Sequence, residues 1–116
     1  TDPQLCETSV FAKLENEKGL PVNIFASVGG MQPDRQELTI KGSKNSRKVS
    51  EFYKDSVSSG NNFIPLREEP KDPRAVSLKA QLDNLVLKIN NKPNSLATIH
   101  EAFRVQKLVE DILSKI

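Results

Sequence analysis

Apolar and polar positions alternate along the first two-thirds of the chain and then change period, so the expected elements are strands followed by helices. Glu7 to Glu15 places Val10, Ala12 and Leu14 on one side and Ser9, Phe11 and Lys13 on the other, as a half-buried strand does. Asn16-Glu-Lys-Gly19 is polar, ends in glycine and reads as a hairpin connection. Pro21 to Val28 alternates again, with Val22, Ile24, Ala26 and Val28 on the core side, until Gly29-Gly30 breaks the pattern as a bulge or turn does. A third strand fits Arg35 to Lys41, with Leu38 and Ile40 on one face. Gly42-Ser-Lys-Asn-Ser46 turns the chain into a fourth strand over Arg47 to Tyr53, where Val49 is the clearest apolar position. Ser56 to Asn62 is a Ser/Gly/Asn cluster and reads as a mobile loop. Phe63, Ile64 and Leu66 then form a short strand that Pro65 confines to a sheet edge.

The helical period takes over after Asp72, which is placed to cap a helix whose first residue, Pro73, has a backbone angle suited to that position. Leu78, Leu82, Leu85 and Ile89 follow at helical spacing, Ala75 and Val86 widen the stripe, and Asn90-Asn91 with Pro93 stop it. A second helix opens with Thr98 and, three residues on, Glu101, the pattern of a capping box. Val105, Leu108, Val109, Ile112 and Ile116 form its apolar stripe. Strands first and helices last predict an α+β fold: a mainly antiparallel open β-sheet with two C-terminal helices packed on one face. With 116 residues, the chain reads as a single domain, residues 1–116, without internal repeats. The aliphatic sheet face is expected beneath the helices. The other face carries Phe11 and Phe25 among Ser9, Lys13, Asn23 and Ser27, and such a mixed face is either half-solvated or a protein interface.

Composition narrows the function classes. Only 36% of residues are hydrophobic, which fits a two-layer structure with a wet face. The 17 basic and 15 acidic residues are interspersed and leave a net charge of +2, so charge gives no reason to expect nucleic acid or an anionic membrane as partner. No apolar run approaches the roughly 18 residues of a membrane span, and no signal-peptide pattern opens the chain. Cys6 is the single cysteine, so an intrachain disulfide is excluded and a reducing cytoplasm is the expected compartment.

Candidate chemistry is sparse. His100, the only histidine, falls at the second position of the last helix, and without a partner motif it reads as a surface residue. Cys6 has acidic neighbours, Glu7 and Asp2, which hold a thiol protonated, and no Cys/His cluster has metal-ligand spacing. Glu15, Glu17, Glu51, Asp55, Glu68 and Glu69 stand in no acid–base motif and read as solvated. The basic run Lys41 to Lys48 lacks the spacing of a phosphate loop and has no interleaved aromatics, so it reads as a structural turn between strands. No catalytic, cofactor-binding or metal-ligating residue is expected; Phe11 and Phe25 are the candidate subunit interface.

Two stretches carry a family resemblance. Leu96-Ala-Thr, an acidic residue at Glu101, Ala102, and then Val105-Gln-x-Leu-Val-Glu-x-Ile112 resemble the ending of Gfo/Idh/MocA oxidoreductases. These are the glucose–fructose oxidoreductase and inositol dehydrogenase relatives, which use NAD or NADP. Glu37-Leu-Thr-Ile-Lys-Gly-Ser-Lys-Asn-Ser46 is similar to the family's strand and Gly-Thr-Lys-Gly-like turn. Asn45 replaces the second glycine, a swap that suits a left-handed conformation. The similarity runs from the Thr8 strand to the chain end. It implies a C-terminal portion whose N-terminal Rossmann domain is absent, and the lack of an initial Met suits a fragment.

The family's Glu-Lys-Pro and Asp-x-Gly-x-His-x-x-Asp elements, which supply a Lys and a His near the transferred hydride, have no counterpart. Glu17-Lys18 is followed by Gly19, His100 stands in another context, and Gly29-Gly30 leads into no dinucleotide-binding helix. By the resemblance, the chain begins after the catalytic elements and neither binds NAD(P) nor reacts alone. The parent enzyme would use NAD or NADP on a sugar, cyclitol or related polyol. Its partners would be the missing Rossmann domain and a second subunit across the open sheet face, with neither nucleic acid nor membrane among them. The Ser56 to Leu66 segment would approach the substrate pocket of the whole enzyme. Two other classes stay open: a stand-alone dimerisation or interaction module, and a small ligand-binding domain without enzymatic activity.

Overall fold

A computed structural model describes residues Cys6 to Ser114. Their order is β1 (Ser9–Glu15), β2 (Pro21–Ser27), β3 (Glu37–Lys41), β4 (Ser46–Ser50), β5 (Lys54–Ser58), β6 (Ile64–Pro65), α1 (Pro73–Ile89) and α2 (Ile99–Leu113). The class is α+β, with antiparallel strands first and two helices last. Where the sequence reads as one sheet, the strands form two: β1-β2 and β3-β4-β5-β6. The described residues up to Gln32, with those from Ala97 onward, form one unit, and Pro33–Leu96 forms the other.

In the first unit, the β1–β2 hairpin pairs Val10 with Ala26, Ala12 with Ile24 and Leu14 with Val22, so the aliphatic residues meet across the strands as their alternation predicts. Asn16 builds the connection by accepting from the Lys18 and Leu20 backbone N–H groups at 3.0 and 2.9 Å. Gly19 there has a φ of 79°, which only glycine adopts without strain. In α2, the Thr98 hydroxyl accepts from the Glu101 N–H at 3.2 Å, and the Glu101 carboxylate accepts from the Thr98 N–H at 2.7 Å. The capping box is complete. That second bond holds the Glu101 carboxyl below its ordinary value of 4.5.

The second unit departs from the sequence reading at one strand. Lys54 to Ser58 is β5, although Ser56 to Asn62 reads as a loop, and Ser56 is the buried polar residue among the described ones. The fourth strand is correspondingly shorter, ending at Ser50 instead of Tyr53. The cause is the turn. Glu51 and Phe52 take φ values of 49° and 65°, so the chain reverses through two successive left-handed residues with neither glycine nor asparagine to announce it. The Tyr53 N–H donates to the Glu51 carbonyl at 2.8 Å within that turn.

The β3–β4 connection is a tight turn, Lys41 facing Ser46. Asn45 is not left-handed, contrary to the expectation, and the constraint falls on Gly42 instead: a Cβ there would lie 2.5 Å from the Asn45 carbonyl oxygen. β6 is at the sheet edge, as Pro65 predicts.

The Asp72 carboxylate accepts from the Arg74 and Ala75 N–H groups, with Pro73 opening α1. The helix ends at a left-handed Asn91 with φ of 53°. There the Lys92 N–H donates to the Leu87 carbonyl at 2.8 Å and the Asn91 N–H to the Lys88 carbonyl at 3.0 Å, which is a Schellman closure. Asn84 then fastens the connector, its Oδ1 accepting from the Ser95 N–H and hydroxyl at 2.9 and 3.1 Å.

Neither helix contains a buried residue, and no hydrophobic side chain among the described residues is buried. Among the described residues, the close contacts between elements run strand to strand. Ile116, the last position of the α2 stripe, and Asp2 lie outside the described residues.

Asn91→Ala should lower the stability of the second unit by about 1 kcal/mol, because alanine lacks asparagine's tolerance of the left-handed region, while Asn91→Gly should be neutral or stabilising; denaturant midpoints read both. The depressed Glu101 pKa means its cap contributes fully above pH 4.5 and is lost as pH falls through the lower folded value. An NMR titration of the Glu101 carboxyl should show that low pKa, and Thr98→Ala, which removes the hydroxyl but keeps the backbone N–H, should return it only part of the way towards 4.5.

Candidate functional site

Two surfaces are candidates, one in each unit. On the hairpin, Phe11 and Phe25 are direct cross-strand partners, each 73% exposed, flanked by the Ser9–Ser27 and Lys13–Asn23 pairs. The expected shared face therefore exists, with the two phenylalanines directly opposed at its centre. Directly opposed aromatics in a hairpin have side chains close enough to make a single apolar platform.

In the second unit, the residues around β4, β5 and the stretch after β6 enclose a groove of about 610 Å³. Its floor follows from register. Lys48 pairs with Ser56 and Ser50 with Lys54, so these polar side chains share one sheet face. Ser56 is buried there, its hydroxyl donating to the Lys48 carbonyl at 3.4 Å. Of the Ser56 to Leu66 segment, Ser56, Phe63 and Pro65 line the groove. The Lys48 ammonium sits 4.5 Å from the centroid of the Phe63 ring, a cation–π contact joining floor to wall.

Four carboxylates that read as solvated in the sequence, Glu51, Asp55, Glu68 and Glu69, also line this groove. Two of them flank one amine: Lys54 is paired with Glu51 and, at 3.3 Å, with Glu69. The hydrogen bonds Lys54 donates to these carboxylates, Glu51 first, raise its pKa above 10.5. Lys54 is thus held as a cation, which removes it from the roles of base and amine nucleophile. Asp55 is the most covered acidic member of the ion pairs, with 17% of its side chain exposed, and it bridges Arg47 at 2.8 Å and Arg67 at 3.6 Å. Sequence reading misses this cluster because its members are spread along the chain from Glu51 to Glu69, and only the unannounced Glu51–Phe52 turn brings them together.

His100 is exposed on the first turn of α2, and Cys6 is exposed ahead of β1. Glu15 and Glu17 belong to the hairpin unit. The basic run from Lys41 to Lys48 is the β3–β4 turn and its flanks, as read. Among the described residues no group of three His, Cys, Asp or Glu side chains is arranged to hold a metal ion, and no helix is long and apolar enough to cross a membrane. No protein-family model matches the chain, and no curated protein or solved structure matches it either.

The ion pairs of Asp55 are the testable part of this geometry. Asp55→Asn should lower unfolding free energy by about 1 kcal/mol, while Arg67→Ala, which removes only the longer and more exposed pair, should cost less than about 0.5 kcal/mol. Urea midpoints at unchanged slope would establish the ranking.

Proposed function

We propose that this chain is a scaffold and association domain, corresponding to the C-terminal portion of an NAD(P)-dependent oxidoreductase that resembles the Gfo/Idh/MocA enzymes. The observation that supports it most is the uncovered apolar surface. Phe11 and Phe25 on the hairpin, Leu78, Leu82 and Leu85 on α1, and Val105, Leu108 and Val109 on α2 are all exposed on regular elements. Apolar side chains set at strand and helix periods are fitted to be covered, and here the covering surface belongs to other protein.

On this reading the parent enzyme acts on a sugar, cyclitol or related polyol, the dinucleotide is held by a Rossmann domain elsewhere in the parent chain, and the setting is cytoplasmic. The residues here bind no cofactor and move no hydride. Their contribution is the framework and a subunit interface centred on Phe11 and Phe25. The family wording at Leu96 to Ile112 and at Glu37 to Ser46 supports the assignment.

A second reading is favoured by the groove. A volume of about 610 Å³ is in the range of small-molecule sites, and its paired charges suit a polar ligand that exchanges with them. Saturable polyol binding by this chain without dinucleotide would favour a ligand-binding domain.

An antibody raised against these residues should detect a native polypeptide several-fold heavier than 116 residues; a product of about that size would overturn the oxidoreductase assignment. Phe11→Asp combined with Phe25→Asp should weaken assembly of that larger protein, measured by light scattering. An unchanged mass would remove the hairpin face from the interface.

A further inference from the structure

The outer edge of the four-stranded sheet is self-complementary, and we propose that it is a second association surface whose occupant is the same edge of another copy of this chain. β3 is the edge strand, with β4 on one side. The Glu51 N–H donates to the Gln36 carbonyl at 3.0 Å, which continues the β3–β4 register as a bonded pair. Antiparallel ladders alternate bonded and non-bonded pairs, so Leu38 and Ile40 point their backbone groups at β4. Glu37, Thr39 and Lys41 point theirs outward.

A second β3 running antiparallel and centred on Thr39 uses all of these outward groups. Thr39 meets Thr39 of the other copy, and Glu37 meets Lys41 at both ends, so each outward N–H and C=O finds a partner. Opposite charges stand face to face in this register. Sliding the copies to centre on Glu37 or on Lys41 would oppose like charges, so the sequence selects one alignment.

The other sheet face carries the second half of the match. Leu38 and Ile40, 59% and 62% exposed, share it with Val49, Val57 and Ile64 and with the Arg47–Asp55 ion pair further into the sheet. In the Thr39-centred register Leu38 lies beside Ile40 of the other copy, so the apolar residues of the two edge strands meet. Charged edge residues usually discourage such pairing. Here their symmetric placement permits it in a single register and with a single kind of partner. The Arg35–Glu37 pair at 3.3 Å is no obstacle, because Arg35 is 81% exposed and such surface pairs are weak. An edge contact is small, so the association is transient and concentration-dependent.

Sedimentation of the 116-residue chain over a concentration series tests it. The wild type should associate reversibly, and added salt should weaken association. Glu37→Lys and Lys41→Glu should each weaken it by about tenfold, since both cross-strand pairs become repulsive. An equimolar mixture of the two variants should recover association as a heterodimer, because one β3 then presents two bases and the other two acids, and every facing pair is again of opposite charge. Thr39→Pro removes only an outward N–H and should abolish pairing while far-UV circular dichroism stays unchanged. A wild type that remains monomeric throughout overturns the proposal, as does association that both charge variants leave intact. Association abolished by Phe11→Asp with Phe25→Asp but untouched by the β3 variants would also overturn it and assign self-association to the hairpin face.

Discussion

Local hydrogen bonding, in place of a buried core, is the constraint on which this chain's architecture depends. The elements are closed by groups within a few residues of one another: the Asp72 cap, the reciprocal Thr98–Glu101 pair, the Asn91 closure and the Asn16 turn. Such devices fix where an element starts and stops, because they satisfy backbone groups that would otherwise be left to water. They contribute little to holding elements against each other. A chain organised this way specifies its parts sharply and leaves their apolar faces available.

That division explains what the sequence discloses. Caps and turns are written in contiguous residues, so both helix starts, the α1 stop, the β1–β2 connection and the edge position of Pro65 are legible in the residue order alone. The shared face of Phe11 and Phe25 is legible too, since alternation puts both opposite the aliphatic side; their direct pairing is set by the turn. β5 is not, because its entry turn uses Glu51 and Phe52 in a conformation those residue types rarely adopt, and its serines resemble loop. Covering of the helix stripes is likewise illegible, for periodicity announces that a face is apolar without saying which molecule lies on it. The groove's carboxylates share that difficulty: no local signal marks residues that meet only after a reversal.

The two candidate surfaces have opposite character. The hairpin face sets two exposed phenylalanines among short polar side chains and one lysine. The groove is lined with charges already matched to one another, Lys54 with its two glutamates and Asp55 with Arg67. An entering ligand must replace those partners, so the groove rewards ligands that present both hydrogen-bond donors and acceptors and discriminates against a simple ion.

Tyr53 gives this arrangement an optical consequence. The chain has one tyrosine and no tryptophan, and that tyrosine lines the groove. Its near-ultraviolet emission therefore originates at a single place in the molecule. A fluorometer trained on the unlabelled protein watches the groove alone, and a spectral change on adding a small molecule reports events there without any engineered probe.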